Sequence, residues 1–341
     1  MCDSCAEGGR RCPGSMGPEA RVAHNSRRRE NRSARAAVVS WAREHDVPQL
    51  ALDVLAVAPP AVAKGWAEQV GAPATAKLGE QTRRRPTVTG LQDASWATPG
   101  IVDQIAAIAR AQGAHPDEAA LLSADVVGGE EEDQGVNTTR RLMLADGSDA
   151  YFKPLNGIDW DIAEEFGHDQ PWQSIHEAAA WQAARALGPE WERLVPPCVL
   201  TVQDGSLGSL AAGRPGSVTG PMHVPDSDVH AAAFFDTLIG QQDRHNMNYL
   251  THNGGSELYL IDHGFAFARP DDPVNESVFQ LRRSVTHPDL TTYERDRLVV
   301  LLRAPDLHGL RPMLAPDRAA ALEDRARLML VTGKILPEGH F

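Results

Sequence analysis

A segment between residues 241 and 267 constrains the fold of this chain more than any other. It begins after an apolar run of helical character at 231–240 and first presents a cluster of polar residues: Asp243, Arg244, His245 and Asn248. The sequence Asn-Gly-Gly at 253–255 then favours a turn between two strands. The second of these strands ends at Asp262. A loop that leaves a helix and the end of a strand can therefore bring Asp243 and Asp262 to one point.

These residue types suit phosphoryl transfer, which needs a carboxylate near the attacking hydroxyl, oxygen ligands for magnesium and cations near the developing charge. Asp243 supplies the carboxylate, and Asn248 and Asp262 supply hard oxygen ligands for Mg. Arg244 or His245 can hold the cluster together or meet negative charge. Each residue alone is better explained by a structural use, such as a helix cap, a core histidine or a turn. Their combination in this order favours the chemical interpretation.

The pattern D-R-H-x-x-N, followed 14 residues later by I-D-x-G, resembles the catalytic and metal-binding loops of the protein-kinase-like superfamily. It is most similar to phosphatidylinositol 3- and 4-kinases and their HipA-like relatives, rather than to protein kinases with an H-R-D sequence. The resemblance covers residues 120–341. It implies an α+β, two-lobed protein-kinase-like fold and an ATP- and Mg-dependent phosphotransferase that acts on a hydroxyl group. Asp236, seven residues before Asp243, is expected to support the catalytic loop structurally.

An upstream pair of β-like runs, at 140–144 and 149–155, predicts a hairpin with its turn at Ala-Asp-Gly-Ser. Lys153 lies on the second strand. The resemblance implies that this lysine contacts the phosphates of ATP and is held by a glutamate on the next helix. Glu177 opens a helix with an apolar stripe at 174–188, whereas Glu164 and Glu165 are competing partners. We expect Lys153 to pair with Glu177.

A phosphate-binding loop is expected before Lys153, within residues 126–139. This segment is poor in glycine and carries four acids at 130–133, which would repel a triphosphate. One interpretation is that the acids point outward while the backbone from Gly135 to Thr138, with the hydroxyl of Thr138 or Thr139, contacts phosphate. The other is altered nucleotide binding, which would make the protein a catalytically weak pseudokinase that acts as an interaction scaffold.

The N-terminal residues raise the question of a second metal. Three thiols and an imidazole can form a Cys3His zinc site, with the ligands Cys2, Cys5, Cys12 and His24. A reduced tail that binds no metal explains the same residues equally well. Five arginines between 27 and 35 can meet phosphates or the acidic body of the protein. No aromatic residues lie between them, so a nucleic-acid partner is disfavoured.

Changes in composition divide the chain into parts. We assign a Cys- and Arg-rich head to 1–35, a helical module to 36–71, a linker to 72–98, connecting helices to 99–125 and the catalytic domain to 126–341, with its small lobe at 126–212 and its large lobe at 213–341. The arginines of two amphipathic helices near the C-terminus, at 290–304 and 316–333, are expected to be solvated.

The formal net charge of −13 is concentrated outside the basic head, since residues 1–35 carry eight arginines against four acids. An acidic body argues against broad binding to nucleic acid or to anionic membranes. No apolar run is long enough to span a membrane, and we expect a cytoplasmic protein. The segment 268–284 has no basic run beyond Arg282 and Arg283. A protein or small-molecule acceptor is therefore favoured, and a phosphoinositide lipid kinase is the alternative.

Overall fold

The computed structural model describes residues 37, 40–72, 97–132, 137–168, 171–219, 223–272 and 277–335. The chain divides into two compact units, Met1–Pro86 and Thr87–Phe341. In the first unit, helices α1 (Gln49–Val57) and α2 (Pro60–Gln69) follow the predicted helical segments. The indole ring of Trp66 is buried. The four residues of the predicted zinc site, Cys2, Cys5, Cys12 and His24, lie outside the described residues.

The described part of the second unit begins with two helices, α3 (Pro99–Ala111) and α4 (Pro116–Ser123). The side chain of Thr98 accepts a hydrogen bond from the backbone N–H of Ile101 at 3.2 Å, and a proline occupies the first helical position. Both features are typical of a helix start. These two features explain why α3 begins at Pro99.

A five-stranded antiparallel sheet follows. Its strands, in the spatial order β1-β2-β3-β5-β4, are β1 (Val126–Glu131), β2 (Arg140–Leu144), β3 (Asp149–Pro154), β4 (Cys198–Gln203) and β5 (Ser206–Ala212). The predicted hairpin is β2 and β3. Phe152 belongs to a buried cluster with Leu121 of α4. Because side chains alternate along a strand, Lys153 points to the opposite face of the sheet.

The described residues between β3 and β4 form three helices: α5 (Trp160–Glu165), α6 (Gln173–Leu187) and α7 (Pro189–Glu192). Helix α6 is buried along most of its length and packs against β4 and β5. It ends where predicted, at Gly188, whose φ of 114° suits glycine. The sheet and α6 together form the structural frame around Lys153.

The part of the second unit that follows β5 is mainly helical. It contains α8 (Asp226–Ile239), a three-stranded sheet of β6 (Val218–Thr219), β7 (Tyr249–His252) and β8 (Glu257–Leu260), and helices α9 (Val278–Thr286), α10 (Thr292–Arg303) and α11 (Pro316–Thr332). A turn at Asn253–Gly255 joins β7 to β8, as predicted. A Cβ atom at Gly255 would overlap the carbonyl oxygen of His223. Only glycine fits there, which fixes the position of the hairpin.

The expectation that the arginines of the last two helices are solvated is wrong for Arg318 and Arg325. Arg318 is fully buried and donates to the carbonyl oxygens of Phe267 at 2.9 Å and Gly167 at 3.1 Å. Arg325 donates to the carbonyl oxygen of Ala268 at 2.6 Å. Carbonyls in these loops have no partner in a helix or strand, and long guanidinium side chains from α11 satisfy them.

Within the described residues, no helix combines the length and the apolar composition that crossing a membrane requires.

Candidate active site

The loop that carries Asp243 leaves α8 through Gly240, which adopts a left-handed conformation with φ 59°. Asn248 closes this loop, because its Nδ2 donates to the carbonyl oxygen of Asp243 at 2.7 Å. The same nitrogen lies 3.4 Å from Oδ2 of the Asp243 carboxylate. The backbone N–H of Ile261 donates to the carbonyl oxygen of Asn248 at 3.2 Å. This bond continues the β7-β8 ladder and puts Asn248 and Asp262 at the same end of the hairpin.

Three elements converge on the ammonium group of Lys153. Its Nζ lies 2.6 Å from Oε1 of Glu177 on α6 and 2.8 Å from Oδ1 of Asp262 after β8. Asp262 has a φ of 59°, in the left-handed region that few non-glycine residues adopt. Its carbonyl oxygen accepts from Nε2 of Gln241 at 2.9 Å. The structure thus brings together the strand lysine, the helix glutamate and the aspartate at the strand end.

The charges in this cluster stabilise one another. Burial alone would lower the pKa of Lys153, but the carboxylates of Asp262 and Glu177 outweigh it and raise that pKa above its ordinary value. Burial opposes ionisation of Glu177 as well, yet the charge of Lys153, followed by His263, holds the pKa of Glu177 far below its usual range. Lys153 and Glu177 are therefore both charged at neutral pH.

The carboxyl group of Asp243 has a different environment. Burial raises its pKa, and the nearby charge of Asp262 raises it further, although His245 and Arg244 oppose the shift. A carboxylate with a raised pKa is a stronger proton acceptor than an exposed one. The influence of Asp262 on Asp243 also agrees with the two carboxyl groups facing a common space.

Arg244 points into the protein and away from solvent. Its Nε lies 3.2 Å from both carboxylate oxygens of Asp236, and its Nη1 donates to the carbonyl oxygens of Asn248 and Ile261. Asp236 also accepts from Oγ of Ser277 at 2.6 Å. Of the two uses that the sequence allows for Arg244, this geometry favours holding the loop over meeting the charge of a substrate.

His245 lies at the surface beside Asp243. Its side chain is 52% exposed, and its Nε2 is 3.7 Å from Oδ2 of Asp243. Its Nδ1 accepts from the backbone N–H of Met247 at 3.1 Å. An imidazole held in this way can approach a group bound next to Asp243.

Two residues, Gly135 and Thr138, were predicted to contact the phosphates of ATP. Gly135 lies outside the described residues. Thr138 lines a pocket of about 460 Å³ together with Phe152 and Pro154. Both of these alternate with Lys153 along β3. The contact of Thr138 with phosphate stays a prediction.

The acidic run that begins at Glu130, within β1, is partly neutralised within the sheet. Glu130 lies opposite Arg141 on β2 and forms an ion pair with it at 3.4 Å. Glu131 lies opposite Arg140 in the strand register, but the guanidinium of Arg140 pairs with Asp204 at 2.8 Å. Cross-strand pairing thus occupies part of the negative charge that the sequence places near the expected nucleotide loop.

Sequence reasoning missed the buried residues behind Asp262. Nδ1 of His263 lies 3.7 Å from Oε2 of Glu177. His168 and His176 pack with the aromatic side chains of the segment after Gly264, Phe265 and Phe267. Among these residues, only His263 could have been connected with the site from the sequence, because it is next to Asp262. In the part of the chain that the structure describes, no three His, Cys, Asp or Glu residues are grouped as a metal site would require.

No model of a known protein family matches the chain, and no curated protein matches it. Among solved structures, the Golgi casein kinase aligns with 62% of this chain and 74% of its own, at 16% identity and a TM-score of 0.45. A structure of the Golgi casein kinase with Mn/ADP bound aligns with 62% and 73%, at 15% identity and a TM-score of 0.46. The Helicobacter pylori proinflammatory kinase CtkA aligns with 63% and 95%, at 12% identity and a TM-score of 0.33.

These neighbours are kinases, and the α+β fold of the chain resembles theirs. Similarities this distant carry no argument about activity, which depends on the geometry of the site. Membership of the phosphatidylinositol-kinase-like and HipA-like branch stays a prediction.

Proposed function

We propose that the chain is an ATP- and Mg-dependent phosphotransferase that acts on a hydroxyl group. The observation that carries this proposal is the position of Lys153 Nζ between Glu177 and Asp262, next to the loop of Asp243 and Asn248. Phosphoryl transfer depends mainly on positioning and charge. A lysine that already lies between two carboxylates is prepared to exchange one of them for a phosphate group.

The donor set fits a divalent cation. The carboxylate of Asp262 is 42% exposed, and Lys153 contacts only its Oδ1. Asn248 donates through Nδ2 to Asp243, which leaves its amide oxygen to act as a ligand. Two hard oxygens suit magnesium, which keeps several waters when bound. Such an ion would neutralise negative charge on the phosphates of the nucleotide.

Asp243 would orient the acceptor hydroxyl and accept its proton. Its raised pKa favours this role, and Asn248 fixes its backbone. His245, whose imidazole is half exposed beside Asp243, would contact the group being transferred. Arg244 and Asp236 would act as the support of the loop, because both are fully buried and paired with each other.

The basic residues of the segment after Asp262 argue against a lipid acceptor. Arg283 is buried, and its guanidinium is held by both carboxylate oxygens of Glu294, at 2.5 and 2.8 Å. Arg282 forms an ion pair with Asp226 at 2.8 Å. Both arginines therefore have carboxylate partners within the protein, which supports a protein or small-molecule acceptor over a phosphoinositide headgroup.

Thermal-shift titration with ATP and magnesium, followed by a labelled-phosphate transfer assay on cell extract, tests the proposal. We expect magnesium and ATP to raise the melting temperature of the wild type and to leave that of Asp262→Asn unchanged. Asp243→Asn should bind ATP but lose transfer by at least about 100-fold, because the proton acceptor is gone. A wild type that binds ATP without any transfer would favour the pseudokinase alternative. A wild type with no shift would contradict the enzyme proposal.

A further inference from the structure

Helix α6, which carries Glu177, is attached to its surroundings near its N-terminal end. Oγ of Ser174 donates to the carbonyl oxygen of Lys153 at 2.8 Å. Nδ1 of His176 lies 3.1 Å from the carbonyl oxygen of Gly264. These contacts fix the first turns of the helix beside the proposed active site. Contacts further along α6 then influence how firmly the helix keeps Glu177 in this position.

The carboxylate of Glu118, on α4, supplies such contacts. The side chain is fully buried. Its Oε1 accepts hydrogen bonds from three side chains of α6, at 2.6 to 2.8 Å: Trp181, Gln182 and Arg185. Trp181 and Arg185 are four and eight residues after Glu177, so they continue the same side of the helix. One carboxylate therefore supplies three polar contacts to the C-terminal half of α6, where Arg297 of α10 also donates to the carbonyl oxygen of Ala186 at 3.0 Å.

Helix α4 has its own anchor on the sheet. The side chain of Gln112, between α3 and α4, exchanges two hydrogen bonds of 2.9 Å with the backbone N–H and carbonyl of Leu200. Leu200 lies on β4, the edge strand of the five-stranded sheet. The other oxygen of Glu118, Oε2, accepts from the backbone N–H of Gly113 at 2.8 Å. The α3-α4 pair thus connects the sheet edge to α6.

We propose that Glu118 is a positioning residue for the phosphotransferase site, which acts through α6 to keep Glu177 against Lys153. This inference rests on the proposed function. Molecules in which α6 has moved away from Lys153 cannot bind the nucleotide productively. The apparent affinity for ATP therefore falls in proportion to the fraction of molecules that keep the Lys153–Glu177 contact. Saturating ATP selects that fraction, so the turnover number changes little.

Glu118 also has a purely structural use, because it belongs to the capping box of α4 with His115. The test must separate this use from the contacts with α6. Trp181→Phe keeps an aromatic ring and removes the indole donor, and Arg185→Gln removes the charged donor. Both leave the cap intact. The matched control is Glu192→Gln, which breaks the 3.2 Å ion pair with His115 on the same helix pair and leaves Glu118 in contact with α6.

We expect the double variant Trp181→Phe, Arg185→Gln to raise KM for ATP about tenfold while kcat changes less than about twofold. Glu192→Gln should leave both constants unchanged. Melting temperatures are measured for every variant. If the double variant loses melting temperature without any change in KM, or if Glu192→Gln raises KM by the same factor, Glu118 is only structural and the proposal is overturned.

A second measurement does not depend on activity. Lys153 is labelled with an amine-reactive reagent in the absence of nucleotide, and the label is quantified by mass spectrometry. Loss of Glu177 exposes the amine and lowers its pKa, so Glu177→Gln and the double variant should both label faster than the wild type and the control. Faster labelling in a protein that never binds ATP would support the role of Glu118 while contradicting the proposed function. Unchanged labelling in the double variant of an active enzyme would overturn the role of Glu118 alone.

Discussion

Two charged clusters within the same unit differ in how completely the protein encloses them. The cluster of Asp236, Arg244 and Ser277 is closed, since the aspartate and arginine side chains have no exposed surface and every partner belongs to the protein. The cluster of Lys153, Glu177 and Asp262 is open, since the lysine side chain is 23% and the Asp262 side chain 42% exposed. The two clusters are close along the chain, because Asp262 follows the hairpin that the Arg244 loop begins.

This difference in enclosure indicates that one cluster supports the fold and that the other can bind ligands. A closed ion pair holds its geometry, because breaking it leaves a buried charge without a partner. An open pair can exchange one partner for another at little cost, because water or a ligand replaces the contact. Arg244 therefore suits the support of the catalytic loop, and the pair formed by Lys153 and Asp262 suits a site where phosphate and metal enter.

The largest expected effect comes from opening the closed cluster. Arg244→Met leaves the carboxylate of Asp236 buried without its counter-charge, and we expect a loss of roughly 3–5 kcal/mol in the free energy of unfolding. Chemical denaturation measures this loss. The matched control is Arg282→Met, which removes an exposed ion pair with Asp226 and should change stability by less than about 1 kcal/mol. Equal losses in the two variants would contradict the distinction between closed and open clusters.

Local sequence signals predicted several elements correctly. The two β-like runs at 140–144 and 149–155 predicted the β2-β3 hairpin, and the sequence Asn-Gly-Gly predicted the β7-β8 turn. The period of apolar residues after Glu177 gave the extent of α6. These signals involve only residues that are close together in the sequence, so they can be recognised without knowledge of the fold. The proximity of Asp243 and Asp262 was predictable for the same reason, because one helix end and one hairpin separate them.

Other features depend on contacts between distant segments. The burial of Arg318 follows from the carbonyls of Gly167 and Phe267, which lie far from it in the sequence. An amphipathic pattern places a polar residue on one face of a helix, but it does not show which groups that residue contacts.

The histidines behind the open cluster offer a pH test of how tightly this region is packed. His168 is fully buried, and burial, with the charge of Arg318 as a second cause, lowers its pKa to about 4. The unfolded chain binds the proton near pH 6.5, so His168 favours the folded state fully above pH 6.5 and less as the pH falls toward 4. We expect this contribution to reach at most about 3 kcal/mol.

Unfolding free energies of the wild type and His168→Asn, measured between pH 8 and pH 4, check this prediction. The variant should be the less stable protein at pH 8, because packing against Phe265 is lost. Its stability should then fall less steeply than that of the wild type between pH 6.5 and pH 4. Parallel curves would mean that His168 takes up its proton in the folded state, and that the region behind Asp262 is as open as the cluster in front of it.

The smallest expected effect on stability concerns Asp262, and it is the most informative for function. Asparagine tolerates the left-handed φ of this position better than alanine does, and it can still accept a hydrogen bond from Lys153. We therefore expect Asp262→Asn to change the free energy of unfolding by less than about 1 kcal/mol. The same variant should lose the thermal shift with magnesium and ATP, because an amide replaces the charged ligand. A loss of stability as large as that of Arg244→Met would place Asp262 among the structural charges, and its effect on ATP binding would then say nothing about catalysis.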